Sequence, residues 1–325
     1  MSALSVKRYD VTAFGESMLR LSVPAGTRLA RMDQLDVHLA GAESNVLAGL
    51  ACLGHSGGWF GGVPEHAIGD FLETGLRRAG VATHAVAVPD SRIGTYYVEF
   101  AVPPRSTDVI YDRANSAITQ LTPADIDFET LLDSRLVHLT GITPALGQGP
   151  LEIVQAILAK AAEAKVPVSF DVNYRSKLWS AGDAAQMLRT LITQVDLLLC
   201  GKRDAETLFD CRGTPEQIIE QLHEMSGAKR YVLTLGGDGV LGWDGDRWCR
   251  EPARPVEIVD RVGAGDALAA GVIHGHLLND FELGLKTGSL LAALALSQTG
   301  DMLVTTAEEV NQLLMADPGG AGIVR

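Results

Sequence analysis

Val259-Asp260-Arg261-Val262-Gly263-Ala264-Gly265-Asp266-Ala267-Leu268-Ala269-Ala270-Gly271 is a stretch that predicts a strand, a tight turn and a helix in direct succession. Residues 255–259 have the apolar character of a strand, and residues 267–278 are rich in helix formers. The turn at residues 263–265 would therefore lie at a helix N-terminus, where free backbone N–H groups and the helix dipole favour an anion. Because glycines let the backbone approach a ligand closely, the stretch predicts an anion site.

Asp266 is unexpected at an anion site, because its carboxylate would repel a phosphate. The residue fits there if it accepts the proton of a hydroxyl group that attacks that phosphate. An aspartate that caps its own helix after a glycine turn is the alternative. The residues alone leave both interpretations open.

The 325 residues include 27 basic and 40 acidic side chains, which gives a formal net charge of −13. This charge argues against a nucleic-acid partner, whose backbone is bound by clustered Lys and Arg side chains. An anionic ligand must instead be held by a few local cationic groups against the overall field. With 46% hydrophobic residues and 35 glycines, the composition is typical of a globular enzyme.

The cysteine pattern and the absence of targeting patterns predict a cytoplasmic protein. No CxxC or zinc-like spacing occurs, so free thiols in a reducing compartment are expected. No leader pattern opens the sequence and no apolar run approaches membrane-spanning length, so we expect no membrane partner. The cysteines are Cys52, Cys200, Cys211 and Cys249.

From residue 136 onward, apolar strand-like runs alternate with helical segments such as residues 151–164 and 216–225. This alternation predicts an α/β fold with a doubly wound, mainly parallel sheet flanked by helices. Ligands of such sheets bind at the carboxyl ends of the strands. The predicted strands are residues 136–140, 166–171, 195–200 and 230–235, together with residues 9–14 nearer the N-terminus.

Two regions with interrupted β patterns, about residues 16–38 and 89–113, are separated by helical segments at residues 45–53 and 67–78. The simplest arrangement pairs these regions in a small sheet over the strand ends, as a lid that excludes water from a reaction. The chain is thus predicted to form a single α/β domain over residues 1–315 with this lid inserted. The glycine-rich residues 316–325 are predicted to be a loose C-terminal tail.

The stretch quoted above resembles the C-terminal signature of the ribokinase-like (PfkB-type) carbohydrate kinases, Asp-Thr-x-Gly-Ala-Gly-Asp, with Arg261 at the Thr position. The resemblance implies a β-lid over one α/β domain, and transfer of a phosphate from ATP with Mg²⁺. It further implies that Asp266 is the catalytic base. The residues implied to stabilise the transferred group and the nucleotide phosphates are Gly263, Ala264 and Gly265.

The glycine-rich run Thr234-Leu235-Gly236-Gly237-Asp238-Gly239 follows a predicted strand. Its backbone N–H groups could surround nucleotide phosphates, or the run could be a hairpin turn before Val240. Its spacing to Asp266 resembles that of the family's nucleotide loop. Neither a Walker A loop nor a Rossmann fingerprint is present in the sequence. The nucleotide contacts that the resemblance implies are Thr234, Gly236 and Gly239.

The segment Cys200-Gly201-Lys202-Arg203-Asp204-Ala205-Glu206 occupies the place of the family's Asn-x-x-Glu motif, which helps to organise Mg²⁺ and the phosphates. Gly201 and Asp204 stand at the matching positions, so the Asn is lost and the Glu is shortened. Asp204 is therefore implied to contact the nucleotide site and to act on the metal indirectly, through water. Ser289 matches the family's adenine-side Asn and either contacts the base or packs. A monovalent cation such as K⁺ near Asp260 is left open.

Three further motifs closely resemble the 2-keto-3-deoxygluconate kinases of this superfamily. They are Ala40-Gly41-Ala42-Glu43-Ser44-Asn45, Leu139-Thr140-Gly141-Ile142-Thr143-Pro144-Ala145-Leu146 and Asp171-Val172-Asn173-Tyr174-Arg175-Ser176-Lys177-Leu178-Trp179. The similarity runs in register over nearly the whole chain. The implied substrate-binding residues are Gly41, Asn45, Tyr96, Tyr111, Arg113, Ile142, Arg175 and Asp266.

Arg113 and Arg175 would approach a substrate from opposite sides, from the predicted lid and from a strand end. Their guanidinium groups could converge on a substrate carboxylate or on the transferred phosphate. Alternatively, each arginine is a surface charge, Asn45 caps a helix, and Tyr96 and Tyr111 pack within the lid sheet.

The combined prediction is an ATP-dependent kinase of a small keto sugar acid, in the first place 2-keto-3-deoxygluconate, phosphorylated on its terminal hydroxyl with Asp266 as general base. One alternative is a kinase of a neutral sugar such as ribose, fructose or a nucleoside. Another is a non-catalytic sensor of sugar acids or nucleotides on the same fold. A small open lid sheet also predicts a homo-oligomer, a dimer or higher.

Overall fold

The computed structural model describes residues 7–100 and 104–316, and within these ranges thirteen strands form two sheets. In chain order the strands are β1 Tyr9–Phe14, β2 Met18–Ser22, β3 Asp36–Ala40, β4 Gly57–Pro64, β5 Val81–Val88, β6 Thr95–Glu99, β7 Asp108–Asp112, β8 Ser134–Thr140, β9 Val168–Asp171, β10 Leu197–Gly201, β11 Arg230–Thr234, β12 Val240–Trp243 and β13 Trp248–Glu251. The larger sheet has the order β13-β12-β11-β10-β9-β8-β1-β4-β5. Strands β11 through β5 in that order are parallel, while β12 and β13 are antiparallel, so the predicted mainly parallel sheet is confirmed.

Helices cover both faces of the larger sheet, and a hydrophobic core lies under each layer. Helices α1, α2 and α8–α10 pack in one core, and α3–α7 pack in the other. The side chains of β10 alternate between the two cores, because successive side chains of a strand point to opposite faces. Leu197 and Leu199 lie in one core, and Leu198 and Cys200 lie in the other. The helices are α1 Ala42–Cys52, α2 Ala67–Arg78, α3 Phe128–Leu132, α4 Gln148–Ala164, α5 Ala181–Leu191, α6 Lys202–Leu208, α7 Pro215–Ser226, α8 Ala264–Leu277, α9 Phe281–Leu296 and α10 Ala307–Met315.

The smaller sheet contains four strands in the order β3-β2-β6-β7. Strands β2 and β3 form one antiparallel pair and β6 and β7 another, and β2 runs parallel to β6 where the two pairs meet. The two interrupted β regions of the sequence therefore pair with each other, as predicted. Residues of β2 and β6 line one cavity together with residues at the carboxyl ends of the larger sheet's strands, which is the position predicted for the lid.

The predicted strand at residues 255–259 is wrong. Pro255 lacks an N–H donor, and the side chains of Ile258 and Val259 are 43% and 53% exposed. The N–H groups of Val259 and Asp260 both donate to the carbonyl of Leu296 at the end of α9, not to a neighbouring strand. The segment is thus an irregular connection that leads into the glycine turn.

Strands β4 and β5 were not predicted, because glycines obscure the strand pattern of β4. Glycine is required there by close packing: a Cβ atom on Gly61 would lie 2.6 Å from the carbonyl oxygen of Gly15, and one on Gly62 would lie 2.8 Å from the amide nitrogen of Ile118. Residues that normally weaken a strand are therefore used here to bring neighbouring segments together.

Helices α8 and α9 are in direct backbone contact, which fixes the position of the α8 N-terminus. A Cβ atom on Gly271 would lie 2.3 Å from the amide nitrogen of Gly288, and one on Gly275 would lie 2.3 Å from the Cα atom of Gly284. Only glycine fits at these crossings.

No helix among residues 7–100 and 104–316 is long and apolar enough to cross a membrane. Of the predicted tail, residues 317–325 lie outside the described residues.

Candidate active site

A cavity of about 490 Å³ lies between the small sheet and the carboxyl ends of β8–β11. Its lining draws on both halves of the chain, from residue 16 to residue 301. Every residue implied to bind substrate contributes to this lining: Gly41, Asn45, Tyr96, Tyr111, Arg113, Ile142, Arg175 and Asp266. On the nucleotide side, Asp204, Thr234, Gly263 and Gly265 also line it, whereas Ala264, Gly236, Gly239 and Ser289 do not.

The N-terminus of α8 provides amide donors at the cavity. Gly263 precedes the helix in a left-handed conformation with φ +83°, and a Cβ atom there would lie 2.2 Å from the carbonyl oxygen of Asp301. The N–H groups of residues 264–266 have no hydrogen-bond partner among the described residues. The predicted anion site at a helix N-terminus is therefore present as geometry.

Asp266 does not cap its own helix, so that alternative is wrong. Its carboxylate accepts a hydrogen bond from Nδ2 of Asn45 at 2.7 Å, and it caps no amide of α8. Burial raises the pKa of Asp266 to about 7, although the hydrogen bond from Asn45 and the charge of Arg175 lower it. A carboxylate with this pKa is suited to accept a proton near neutral pH.

Asn45 does not cap a helix either, because α1 begins earlier than predicted, with Gly41 as its N-cap. Asn45 thus lies one turn inside the helix, with only 4% of its surface exposed. Its Nδ2 is used on Asp266, while its Oδ1 has no hydrogen-bond partner among the described residues. A buried amide oxygen without a partner on the wall of a cavity is a natural acceptor for a ligand hydroxyl.

Two further carboxylates lie at strand ends of the same cavity. Burial raises the pKa of Asp171 to about 7, and the nearby charges of Asp266 and Asp204 raise it further while Arg175 lowers it. Burial also raises the pKa of Asp204, whose Oδ2 accepts a hydrogen bond from the N–H of Tyr174 at 3.3 Å. Sequence reasoning placed Asp171 at a strand end but assigned it no role.

Arg175 lies in the cavity close to Asp171, Asp204 and Asp266, whose pKa values its charge lowers. No ion pair or hydrogen bond joins its guanidinium group to any residue within 7–100 and 104–316. The group is therefore available to an anionic ligand.

Arg113 differs from Arg175, because its charge is already matched within the protein. Its Nε lies 2.8 Å from Glu16, with which it forms a buried ion pair, and Ser116 donates a further hydrogen bond to the same carboxylate. Sequence reasoning missed Glu16, although an acidic residue directly after the first strand lies at the edge where ligands bind. The pairing matches the charge of Arg113 within the protein, in contrast to that of Arg175.

Tyr96 and Tyr111 are paired across β6 and β7, with ring centroids 5.6 Å apart. Both therefore pack within the small sheet and line the cavity, so the two interpretations of these residues are compatible. The hydroxyl of buried Tyr96 donates to Asp301, whereas Tyr111 is 36% exposed.

The glycine-rich run after β11 is a hairpin turn into antiparallel β12. A Cβ atom on Gly239 would lie 2.2 Å from the carbonyl oxygen of Glu251, whereas one on Gly236 or Gly237 would meet nothing within 4 Å. Packing thus requires Gly239, while Gly236 and Gly237 leave open space beside the strand end. Ser289 is buried and donates to the carbonyl of Pro252 at 2.8 Å, which is the packing role.

Two substitutions in the glycine turn are expected to have different effects: Gly263→Ala should lower the stability of the protein, whereas Gly265→Ala should weaken anion binding. Gly263→Ala should destabilise the protein by about 1–3 kcal/mol, because of the positive φ and the contact with Asp301. A Cβ atom on Gly265 meets nothing within 4 Å, so Gly265→Ala should keep the wild-type unfolding temperature while its methyl group crowds the anion site. Thermal unfolding and nucleotide-binding calorimetry on both variants test this; equal unfolding temperatures for both would contradict it.

Comparison with known proteins identifies the family to which this site belongs. The family model for pfkB family carbohydrate kinases matches residues 8–307, which include the cavity and the α8 N-terminus. The chain is a pfkB family carbohydrate kinase. The predicted resemblance is confirmed, and the kinase is an enzyme that transfers phosphate to a carbohydrate.

Relatives of this kinase match over nearly its whole length. A 2-dehydro-3-deoxygalactonokinase of Haloferax volcanii is 35% identical over 317 residues, which cover 97% of this chain and 99% of that protein. A 2-dehydro-3-deoxygluconokinase of Bacillus subtilis is 31% identical over 301 residues, which cover 91% and 92%. The crystal structure of a 2-dehydro-3-deoxygluconokinase from Thermotoga maritima matches with a TM-score of 0.87 and 33% identity, covering 94% of this chain and 99% of that one.

Proposed function

We propose that this pfkB kinase transfers the γ-phosphate of ATP to the terminal hydroxyl of a 2-keto-3-deoxy sugar acid, in the first place 2-keto-3-deoxygluconate. Three relatives carry names of this substrate class, since 2-dehydro and 2-keto denote the same carbonyl group. The observation that carries the proposal is that Arg175, which lacks an ion-pair partner, shares one cavity with Asp266. A sugar acid offers one group to each: a carboxylate to Arg175 and a hydroxyl to Asp266.

In this mechanism Asn45 holds the base in place and Asp266 removes the proton. The hydrogen bond from Nδ2 of Asn45 orients one oxygen of Asp266, so that the other oxygen can accept the proton of the attacking hydroxyl. The unpaired N–H groups at the start of α8 lie where they can stabilise the charge on the transferred phosphoryl group. The small sheet covers the cavity and excludes water, which would otherwise compete with the sugar.

The acidic residues fit Mg²⁺ that arrives with ATP. No group of three or more His, Cys, Asp or Glu side chains within the described ranges could hold a metal by itself. Mg²⁺ commonly binds through one or two carboxylates, waters and the substrate phosphates, and Asp171 and Asp204 offer such carboxylates at the strand ends. A metal held there would neutralise part of the negative charge of the phosphates.

A monovalent cation at Asp260 does not fit the residues present. One carboxylate oxygen lies 2.5 Å from a guanidinium nitrogen of Arg20, and the two oxygens also accept from the N–H groups of Val262 and Gly300. A second cation at this carboxylate would meet the positive charge of Arg20 and the N–H donors that already bind it. We therefore leave K⁺ out of the proposed mechanism.

An assay of ADP release, coupled to NADH oxidation, on a panel of substrates tests the proposal. The panel contains 2-keto-3-deoxygluconate, its C4 epimer 2-keto-3-deoxygalactonate, gluconate, ribose, fructose and a nucleoside. We expect the two keto acids to give the highest kcat/KM. A higher kcat/KM for a neutral sugar would favour the alternative substrate class.

The acidic limb of the pH–rate profile is expected to follow Asp266. Its pKa is raised from 3.8 to about 7, so kcat/KM should fall as the pH is lowered through about 7, where the base becomes protonated. Asn45→Ala removes a hydrogen bond that lowers this pKa, so the limb should move to higher pH, by about one unit.

Asp171→Asn is the control for this experiment. The carboxyl group of Asp171 lies in the same cavity as that of Asp266, and its pKa is also raised to about 7. The limb should persist in this variant when Mg·ATP is saturating, although the KM for Mg·ATP is expected to rise. If the acidic limb disappeared in Asp171→Asn, or did not move in Asn45→Ala, a group other than Asp266 would be responsible for it.

We expect this kinase to form a homo-oligomer and to act in the cytoplasm. The outer face of the small sheet exposes Val37 (48%) and Ile110 (49%), so we expect a second copy to cover it. Light scattering on the purified kinase measures the oligomeric state. We also expect the kinase to work in the cytoplasm, where sugar acid and ATP meet.

A further inference from the structure

Arg20, in the middle of β2, carries a buried charge outside the mechanism described above. Its side chain has no exposed surface, and its guanidinium nitrogens lie 2.5 Å from Asp260 and 2.9 Å from Asp301. The two carboxylates belong to different connections: Asp260 precedes the turn at Gly263, and Asp301 follows α9. One side chain of the small sheet thereby joins the two loops that support the α8 N-terminus.

The same cluster reaches the cavity wall. Asp301 accepts a hydrogen bond from the hydroxyl of Tyr96, and both residues line the cavity. The carbonyl oxygen of Asp301 lies where a Cβ atom on Gly263 would have to be, so the loop also fixes the backbone of the anion site. Arg20 therefore connects β2 to Tyr96 of β6 through Asp301, and to the glycine turn through Asp260.

The charges make this connection stiff. A buried guanidinium group between two carboxylates is strongly held, because breaking either pair leaves a charge uncompensated away from water. The planar fork of Arg presents a separate nitrogen to each carboxylate, whereas Lys has a single nitrogen. Asp260 is in turn bonded to the N–H of Val262 within the turn, at 3.1 Å.

We propose that Arg20 is a positioning residue that acts as the built-in cation of the phosphate-binding turn. It holds the turn and the small sheet in register, and it takes the place beside Asp260 that a monovalent cation could otherwise fill. The inference rests on the proposed phosphoryl transfer at the α8 N-terminus, but not on which sugar is phosphorylated. Two consequences follow: the wild-type kinase needs no monovalent cation, and a kinase without Arg20 does.

The first measurement is the cation response of the wild-type kinase. Phosphorylation of the best substrate of the panel is measured in a buffer whose only monovalent cation is a bulky organic amine, then with added KCl, NaCl or CsCl. We expect kcat/KM to change by less than about twofold after correction for ionic strength. A specific activation by K⁺ well above that limit would overturn the inference.

The second measurement uses Arg20→Ala, which leaves a hole the size of a guanidinium group between two acids. We expect kcat/KM to fall by about a hundredfold, because the turn is displaced. Guanidinium chloride at millimolar, non-denaturing concentrations, or K⁺, should restore part of the loss. A folded Arg20→Ala kinase with wild-type kcat/KM, or with a loss that no cation relieves, would overturn the inference.

Arg135→Ala is the matched control. Arg135 also pairs with an aspartate, Asp10 at 2.9 Å, and donates to the carbonyl of Leu277, but it lies outside the cavity lining. This variant should show neither the loss nor any rescue by guanidinium. Stimulation of Arg135→Ala by guanidinium would show that the response of Arg20→Ala is not specific to the site beside Asp260.

Arg20→Lys keeps the test decisive if Arg20→Ala does not fold. Lys retains the charge but lacks the fork with a nitrogen for each carboxylate, so we expect a folded protein with lowered kcat/KM and no response to K⁺. Activation of Arg20→Lys by K⁺, or a wild-type kcat/KM, would contradict the proposal. Calorimetry of a non-hydrolysable ATP analogue with Mg²⁺ gives the same comparison without any sugar, so a wrong substrate assignment and a wrong role for Arg20 remain distinguishable.

Discussion

Asp266→Asn should lower kcat at least about a hundredfold while the affinity for ATP stays near that of the wild type. The change removes the proton acceptor and little else. An asparagine oxygen can still accept the hydrogen bond that Nδ2 of Asn45 now donates at 2.7 Å, so the geometry of the α8 N-terminus is preserved. Single-turnover phosphorylation together with calorimetry of ATP binding separates the chemical step from binding.

Asp171→Asn is the matched control for this substitution. It removes a carboxylate of the same raised pKa from the same cavity, but at the end of β9 and not at the anion site. Since we propose that Asp171 offers a carboxylate to Mg²⁺, we expect this variant mainly to raise the KM for Mg·ATP. Near-normal turnover of Asp266→Asn would contradict the assignment of the base, whatever Asp171→Asn does.

Arg175→Ala has the second largest expected effect, on substrate affinity. A hydrogen bond to a charged group contributes about 1.5–3 kcal/mol, so loss of this guanidinium group should raise the KM for a sugar acid by about ten- to a hundredfold. The KM for a neutral sugar should change far less, because such a sugar has no carboxylate to lose a partner. The measurement is kcat/KM for 2-keto-3-deoxygluconate and for a neutral sugar, in wild type and variant.

Arg113→Ala provides the comparison on the other side of the cavity. Its guanidinium group is already paired with Glu16, so its removal should disorder the small sheet. The KM should therefore rise for the sugar acid and for the neutral sugar by similar factors. Arg175→Lys keeps a positive charge but lacks the planar fork, so its KM for the sugar acid should lie between those of the wild type and Arg175→Ala. If Arg175→Ala left the preference for acid over neutral sugar unchanged, Arg175 would not bind the carboxylate.

The architecture was predictable from the sequence because it depends on local patterns. Buried parallel strands produce continuous apolar runs and helices separate them, so the larger sheet could be predicted from residue 136 onward. The prediction failed where side chains carry no pattern, as in glycine-rich β4. It also failed at residues 255–259, where an apolar run bonds to the end of a helix.

The site was predictable only in part, because partners in it are distant in the chain. Motif resemblance indicated which residues would line the cavity, but not which of two arginines is free. Arg113 and Glu16 are 97 residues apart, and nothing local marks them as a pair. Arg20 stands between two leucines in β2, an alternation that favours an exposed arginine, yet the covering loops bury it.

The contact between Arg20 and Asp301 joins residues that are 281 positions apart. During synthesis, the N-terminal portion of the site must therefore wait for most of the polypeptide to leave the ribosome before the turn is held in place. Closure of such a long loop is entropically costly and is repaid only when the final segments dock. Nucleotide binding by nascent chains of increasing length should consequently begin abruptly, once residue 301 has emerged, and would serve as a marker of completed folding.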